Sequence, residues 1–150
     1  MVQNVLYSHN SDEWETPQWF FDELNGRYHF DLDVCSTREN RKCLRYFTKQ
    51  DDGLSRKWGG RVWCNPPYSD ITSWVRKAHE EVSSGRCEVV VMLVPARTDT
   101  RWFHDWCYNK RGVEIEFVKG RLKFGGAKNN APFPSMVVVF RRENGHEESA

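Results

Sequence analysis

A chain of 150 residues with 39% hydrophobic content has material for one compact domain and too little for two full ones. The longest apolar run, Val89–Pro95, is a strand's length and far short of the ~18 to 20 residues of a membrane span; the N-terminus MVQNVLYSHNSDEWE lacks the basic and apolar regions of a targeting peptide, so a soluble, cytoplasmic protein is expected. The net charge is only +1, from 22 Lys and Arg against 21 Asp and Glu.

In chain order, the polar stretches 1–10 and 142–150 read as tails around a folded body of about residues 12–141. Thr16-Pro17 reads as cap and first residue of a helix carrying Phe20, Phe21 and Leu24 on one face and ending at Gly26. Tyr28–Cys35 alternates strictly, which predicts a strand with His29, Asp31, Asp33 and Cys35 on one face. Ser36–Tyr46 reads as a polar helix or loop, and Arg61–Cys64 as a short strand running into Asn65-Pro66-Pro67-Tyr68. A helix from Ser69 or Asp70 carries Ile71, Trp74, Val75, Ala78 and Val82 on one stripe, with Gly85 past its end.

Cys87–Val94 reads as the core strand, in which the six consecutive apolar residues Val89–Val94 leave no polar face, the pattern of a central parallel strand covered on both sides. Thr98 or Asp99 is expected to cap a helix carrying Phe103, Trp106 and Cys107, and Val113–Val118, Arg121–Phe124 and Met136–Phe140 read as strands. The alternation predicts one α/β domain over residues 1–150: a Rossmann-like sandwich, mainly parallel, with helices on both faces and antiparallel pairing among the last strands.

Five cysteines without a C-x-x-C pair argue against a disulfide framework and against a zinc site, so no metal is expected. Charge is uneven along the chain: residues 1–37 carry one base and seven acids, residues 38–64 eight bases and three acids, residues 97–128 eight bases and four acids. The two basic stretches suit either a phosphate-binding face or a solvated surface that balances the acidic N-terminal block.

Open α/β sheets bind ligands in the crevice at the carboxyl ends of their strands, where Asn65-Pro66-Pro67-Tyr68 falls. An exocyclic amine such as adenine N6 is a poor nucleophile because its lone pair is delocalised into the ring. Two acceptors at its hydrogens, the Asn65 carboxamide oxygen and the Pro66 carbonyl, would localise that pair and stabilise the developing positive charge. Pro66 and Pro67 stiffen the loop, and Tyr68 offers a ring on which an extruded base could stack. An ordinary strand-to-helix turn is the competing reading of these four residues. Cys64 reads as a packed thiol, since direct transfer to an amine needs no covalent nucleophile.

Beyond the core strand, Arg97, Thr98, Asp99 and Thr100 either contact DNA or cap the next helix, and Arg101 is a further candidate for DNA. Arg121 and Lys123 belong to a basic segment expected to touch phosphates, and Phe124 or Phe133 is a candidate second wall of a base pocket, although a core role weighs more for each singly.

The chain resembles the small, phage-type DNA adenine-N6 methyltransferases that use S-adenosylmethionine. The resemblance is carried in fixed order by DEWETPQWFFDEL, by FDLDVCST with a following KC and YFT, by DGL ahead of WCNPPYS, by MLVPARTDTRWFHD, and by GRLKFG followed by APFPSMVVVF. It implies that Asn65, Pro66, Pro67 and Tyr68 form the catalytic motif and that Thr16 and Pro17 belong to a segment covering the cofactor. It further implies that Asp31, Asp33 and Cys35 stand at the cofactor strand and that Asp52 lies in the loop meeting the cofactor's adenine. The family's usual Gly-rich turn is absent, Cys35-Ser36-Thr37 standing in its place.

The implied partner is double-stranded DNA, in a bacterial host if the chain is phage- or prophage-encoded, with no membrane partner and a homodimer left open. The alternatives are a nucleic-acid-binding protein that has kept the fold without the cofactor, and an amino-methyltransferase acting on cytosine N4 or RNA.

Overall fold

The structure, a computed structural model, describes residues 14–125 and 129–142. Helix α1 (Gln18–Tyr28) precedes strands β1 (Leu32–Asp33), β2 (Arg45–Tyr46) and β3 (Gly60–Cys64). Helix α2 (Ile71–Ser83) joins β3 to β4 (Cys87–Pro95), and β5 (Val113–Phe117) and β6 (Ser135–Arg141) complete one sheet in the order β2-β1-β3-β4-β6-β5. Neighbours from β2 to β4 are parallel, and β6 runs antiparallel to both β4 and β5. The expected α/β sandwich with antiparallel C-terminal pairing is therefore observed.

Strand periodicity explains the run without a polar face. Val89, Val91 and Leu93 pack on Phe20, Phe21 and Leu24 of α1, whereas Val90, Met92 and Val94 pack with Val75, Ala78 and Val82 of α2 on the opposite face. With both faces of β4 covered, every inward position must be apolar, and burying each such side chain contributes roughly 1.5–3 kcal/mol.

Four local expectations need correction. Thr16 is not the cap of α1: Pro17 occupies that position without a side-chain bond, and the helix runs past Gly26 to Tyr28. It ends at His29, which adopts a left-handed φ of 55° while Asn25 receives the His29 and Phe30 amides at 2.8 Å each. The predicted strand Tyr28–Cys35 shrinks to Leu32–Asp33, because Tyr28 belongs to the helix and β2 offers only two residues for pairing.

Thr100, not Thr98 or Asp99, meets the next helical turn, accepting the Phe103 amide at 3.4 Å. Phe103–Cys107 then winds as a π-helical turn closed by the Tyr108 amide on the Phe103 carbonyl at 2.7 Å. Arg121–Phe124 is no strand, although its alternation is real, with Leu122 and Phe124 buried and Arg121 and Lys123 exposed. Both edges of β6 are already taken by β4 and β5, so this segment lies across the α1 face and reaches only a bridge between Gly125 and Glu15. Ser36–Tyr46 is a run of turns leading into β2.

Candidate active site

The order of the sheet reverses at β1, since the chain passes to β2 on one side and returns to β3 on the other. Crevices open at the carboxyl ends of strands where order reverses in this way. A cavity of about 280 Å³ lies there, its wall including the end of β1, the turns after it, the loop after β3 and residues 14–16.

Asp33, the last residue of β1, is 2% exposed and lines this cavity. Its Oδ1 accepts the Cys35 amide at 3.2 Å and its Oδ2 the Lys42 amide at 3.0 Å. Burial pushes its pKa up to about 6, against the opposing pull of those two amides. Asp33 thus folds residues 35–42 around itself where a Gly-rich turn was missing. The turn's other amides are also engaged, Ser36 with the Phe47 carbonyl at 3.1 Å and Thr37 with Asn40 Oδ1 at 2.7 Å. Cys35 lines the cavity.

Asp31 does not reach the cavity. It is exposed, and its Oδ2 receives the Arg61 amide at 2.9 Å beside Gly60, so it fastens the start of β3. Asp52 does line the cavity, from a left-handed φ of 58°, next to Gly53. A Cβ on Gly53 would stand 2.5 Å from the Val34 carbonyl, so only glycine fits this approach. Gly53 is held by the Trp58 indole, which donates to its carbonyl at 2.9 Å, while the Trp58 amide donates to the fully buried Glu81 carboxylate at 2.8 Å.

Asn65 and Pro67 line the cavity from the loop after β3. Asn65 Nδ2 donates to the Trp14 carbonyl and to Thr16 Oγ1, the latter at 3.0 Å. Its Oδ1 is buried without a hydrogen-bond partner among the described residues, an arrangement that proteins rarely leave in place without a use for it. Thr16 lines the cavity, whereas Pro17 is occupied as the cap of α1 and the buried Pro66 is not part of the cavity wall.

Tyr68 departs from the expectation of an open stacking platform. It begins a 3₁₀ turn that directs the ring inward, where it is 6% exposed, its hydroxyl donates to the Leu93 carbonyl at 3.3 Å and burial raises its pKa far above the usual phenol value. Phe133 stands edge-on against it with ring centres 5.8 Å apart. Phe124, 1% exposed, is a core residue rather than a contact for DNA. Phe133 is half-buried and also touches Trp14 at 5.2 Å, which makes it the more accessible of the two rings.

Cys64 is fully buried, and burial holds its thiol neutral by raising the pKa well above the ordinary value. Arg97, Thr98, Asp99 and Arg101 are exposed on the segment that follows the carboxyl end of β4. Arg121 and Lys123 are exposed on the segment that ends at Gly125 beside Glu15; Lys128 of the same basic stretch lies outside the described residues.

Sequence reasoning missed several residues of the cavity wall. Lys42 and Thr48 stand within the KC and YFT blocks, which could have flagged them. Trp74 gave no signal, because its place on the apolar stripe of α2 is indistinguishable from that of a core residue. Among the described residues, no group of His, Cys, Asp and Glu side chains is arranged to hold a metal, and no helix is long and apolar enough to cross a membrane.

Residues 3–149 match the family of DNA N-6-adenine-methyltransferases (Dam). The chain is 31% identical over 148 residues to the DNA N-6-adenine-methyltransferase of Haemophilus phage HP1, covering 93% of this chain and 84% of that protein. It is 38% identical over 114 residues to the enzyme of the same name from Escherichia phage T1, covering 74% of this chain but only 46% of the T1 protein. In fold it is similar to the 23S rRNA methyltransferase ErmE, with a TM-score of 0.55 at 12% identity over 87% of this chain and 70% of that one. A putative RNA methyltransferase from Pyrococcus horikoshii gives a TM-score of 0.55 at 13% identity, covering 89% of this chain and 88% of the other.

Proposed function

Because this chain belongs to the DNA N-6-adenine-methyltransferase family, we propose that it methylates the N6 amine of adenine in DNA, by flipping the base out and transferring the methyl group directly from S-adenosylmethionine. The observation that carries this reading is the Asn65 carboxamide oxygen, a buried acceptor without a hydrogen-bond partner among the described residues, on a side chain that belongs to the cavity wall.

The residues around the cavity fit S-adenosylmethionine by their chemistry. The carboxylates of Asp33 and Asp52 suit its cationic and amino groups, Lys42 and Lys49 suit its carboxylate, and Trp74 and Trp63 supply apolar wall for its rings. An open cavity at Asp33 also speaks against a binding protein that has merely kept the fold. When bound, the cofactor supplies an electrophilic methyl group on a sulfonium.

Asn65 Oδ1 and the Pro66 carbonyl accept the two hydrogens of the amine and localise its lone pair, which forms the new N–C bond as the S–CH₃ bonding pair returns to sulfur. The carboxamide is neutral and no base, so the surplus amine proton leaves to water. The rigid Pro66-Pro67 step fixes the acceptors before the base arrives. Arg97, Arg101, Arg121 and Lys123 provide exposed positive charge for the phosphates of double-stranded DNA.

Replacing Asn65 by Ala tests the assignment. The rate of methyl transfer should fall on the order of 10² to 10³, while cofactor affinity measured by calorimetry stays unchanged. Transfer at the original rate would remove Asn65 from the chemistry.

A further inference from the structure

A carboxamide has two opposite ends, a donor and an acceptor, and only one of them serves an amine. Were Asn65 turned by half a rotation, its NH₂ would face the N6 hydrogens, donor against donor, and the lone pair would gain nothing. Something must choose between two orientations that differ little in shape.

The Trp14 carbonyl makes that choice, and Thr16 holds the result. The Trp14 carbonyl can only accept, so the end of Asn65 facing it must be Nδ2, and the flipped form would press two carbonyl oxygens together. Thr16 Oγ1 takes the second Nδ2 hydrogen at 3.0 Å from a position only 3% exposed. Both Nδ2 hydrogens are thereby used and Oδ1 is left over.

The strap carrying these two acceptors is itself held in place. The Gly125 amide donates to the Glu15 carbonyl at 2.7 Å, and the Trp14 ring stands edge-on to Phe124 at 5.4 Å and to Phe133 at 5.2 Å.

We propose that Thr16 is a positioning residue: the Trp14 carbonyl sets the sense of the Asn65 carboxamide and the Thr16 hydroxyl, by engaging the second Nδ2 hydrogen, holds it there, so that the strap 14–16, and not the Asn-Pro-Pro-Tyr loop alone, determines that an acceptor meets the target amine. The inference rests on the reading that Asn65 accepts from that amine. It differs from the cofactor-covering role that the family resemblance implies for Thr16.

The test compares Thr16→Val with Thr16→Ser. Valine keeps the branched shape and removes the hydroxyl, whereas serine keeps the hydroxyl. The kcat of Thr16→Val should fall about tenfold, with the KM values for DNA and cofactor little changed, and Thr16→Ser should recover most of the loss. Independently of turnover, the Asn65 side-chain NH₂ signals in a ¹⁵N-resolved spectrum should lose protection from solvent exchange in Thr16→Val and regain it in Thr16→Ser.

An unaltered kcat in Thr16→Val, a serine variant as impaired as valine, or a raised cofactor KM at constant kcat would each overturn the proposal. Absence of methyl transfer by the unsubstituted protein would defeat the proposed function instead. The NH₂ protection would then decide the positioning role by itself, unchanged protection in Thr16→Val overturning it.

Discussion

The Lys42 amide donates to Asp33 Oδ2 at 3.0 Å across nine residues of chain, and this bond closes the turn that borders the cavity. The same carboxylate holds the Cys35 amide, so one buried acid organises both ends of the segment. Its burial raises the pKa to about 6 from an ordinary 3.8, and with the folded-state value the higher of the two, the folded protein binds the proton more tightly. The contribution of Asp33 to stability is therefore greatest in acid and is lost as the pH rises from about 4 through 6.

A cationic cofactor prefers the ionised carboxylate. Affinity for S-adenosylmethionine should therefore weaken as the pH drops below about 6, and binding near that pH should release a proton. Calorimetry in buffers of different ionisation enthalpy reads both effects. In Asp33→Asn the affinity should be lower and this pH dependence should vanish; a retained pH profile would assign it to another group.

Tyr68 is sealed beneath Phe133 with its hydroxyl on the Leu93 carbonyl. Removing that hydroxyl in Tyr68→Phe should cost about 1 kcal/mol of stability, whereas emptying the site in Tyr68→Ala should cost about 3–5 kcal/mol by analogy with other buried aromatics. Urea denaturation measures both, and equal losses would show that the hydroxyl, not the ring, holds this corner together.

Strands β3 to β6, the two covering helices and the Asn-Pro-Pro-Tyr loop were legible in the sequence because each rests on a local pattern, whereas the two-residue β2 was not. The apolar run of β4, the stripe of α2 and the turn chemistry at Gly85 all lie within one element. The exact helix ends were missed locally, and the other failures depend on partners distant in the chain. The alternation of Tyr28–Cys35 could not reveal that β2 supplies only two residues, nor that Asp31 faces the start of β3 while Asp33 faces the cavity. The unpaired oxygen of Asn65 is likewise invisible in sequence, since it follows from hydrogen bonds to residues 49 and 51 positions away.

Glu81 is fully buried and anchors the Trp58 backbone, with Arg86 donating at 2.8 Å and Lys77 at 3.2 Å. Burial pushes its carboxyl up, but the bonds from Arg86, Trp58 and Lys77 outweigh it and hold the group below the usual range. Glu81→Ala should cost about 3 kcal/mol, the lower end for breaking a buried pair because Arg86 remains wetted. Since Trp58 holds Gly53 at the cavity wall, cofactor affinity should fall with it. A stable Glu81→Ala with unchanged affinity would disconnect this network from the cavity.

Arg97, Arg101, Arg121 and Lys123 are exposed, and pairing such cations with phosphates releases counterions from DNA. Neutralising all four should flatten the plot of log affinity for DNA against log salt, by roughly 0.9 for each phosphate that no longer meets a cation, with little dependence on DNA sequence. An unaltered slope would place the path of the DNA elsewhere on the surface.

Methyl transfer to adenine N6 is read directly by incubating unmethylated double-stranded DNA with the protein and S-adenosylmethionine carrying an isotopically labelled methyl group, followed by digestion to nucleosides and mass spectrometry. The expected product is labelled N6-methyldeoxyadenosine, formed by the unsubstituted protein and reduced at least about a hundredfold with Asn65→Ala. Label on cytosine, label only when RNA replaces DNA, or no labelled nucleoside at all would contradict the proposed function.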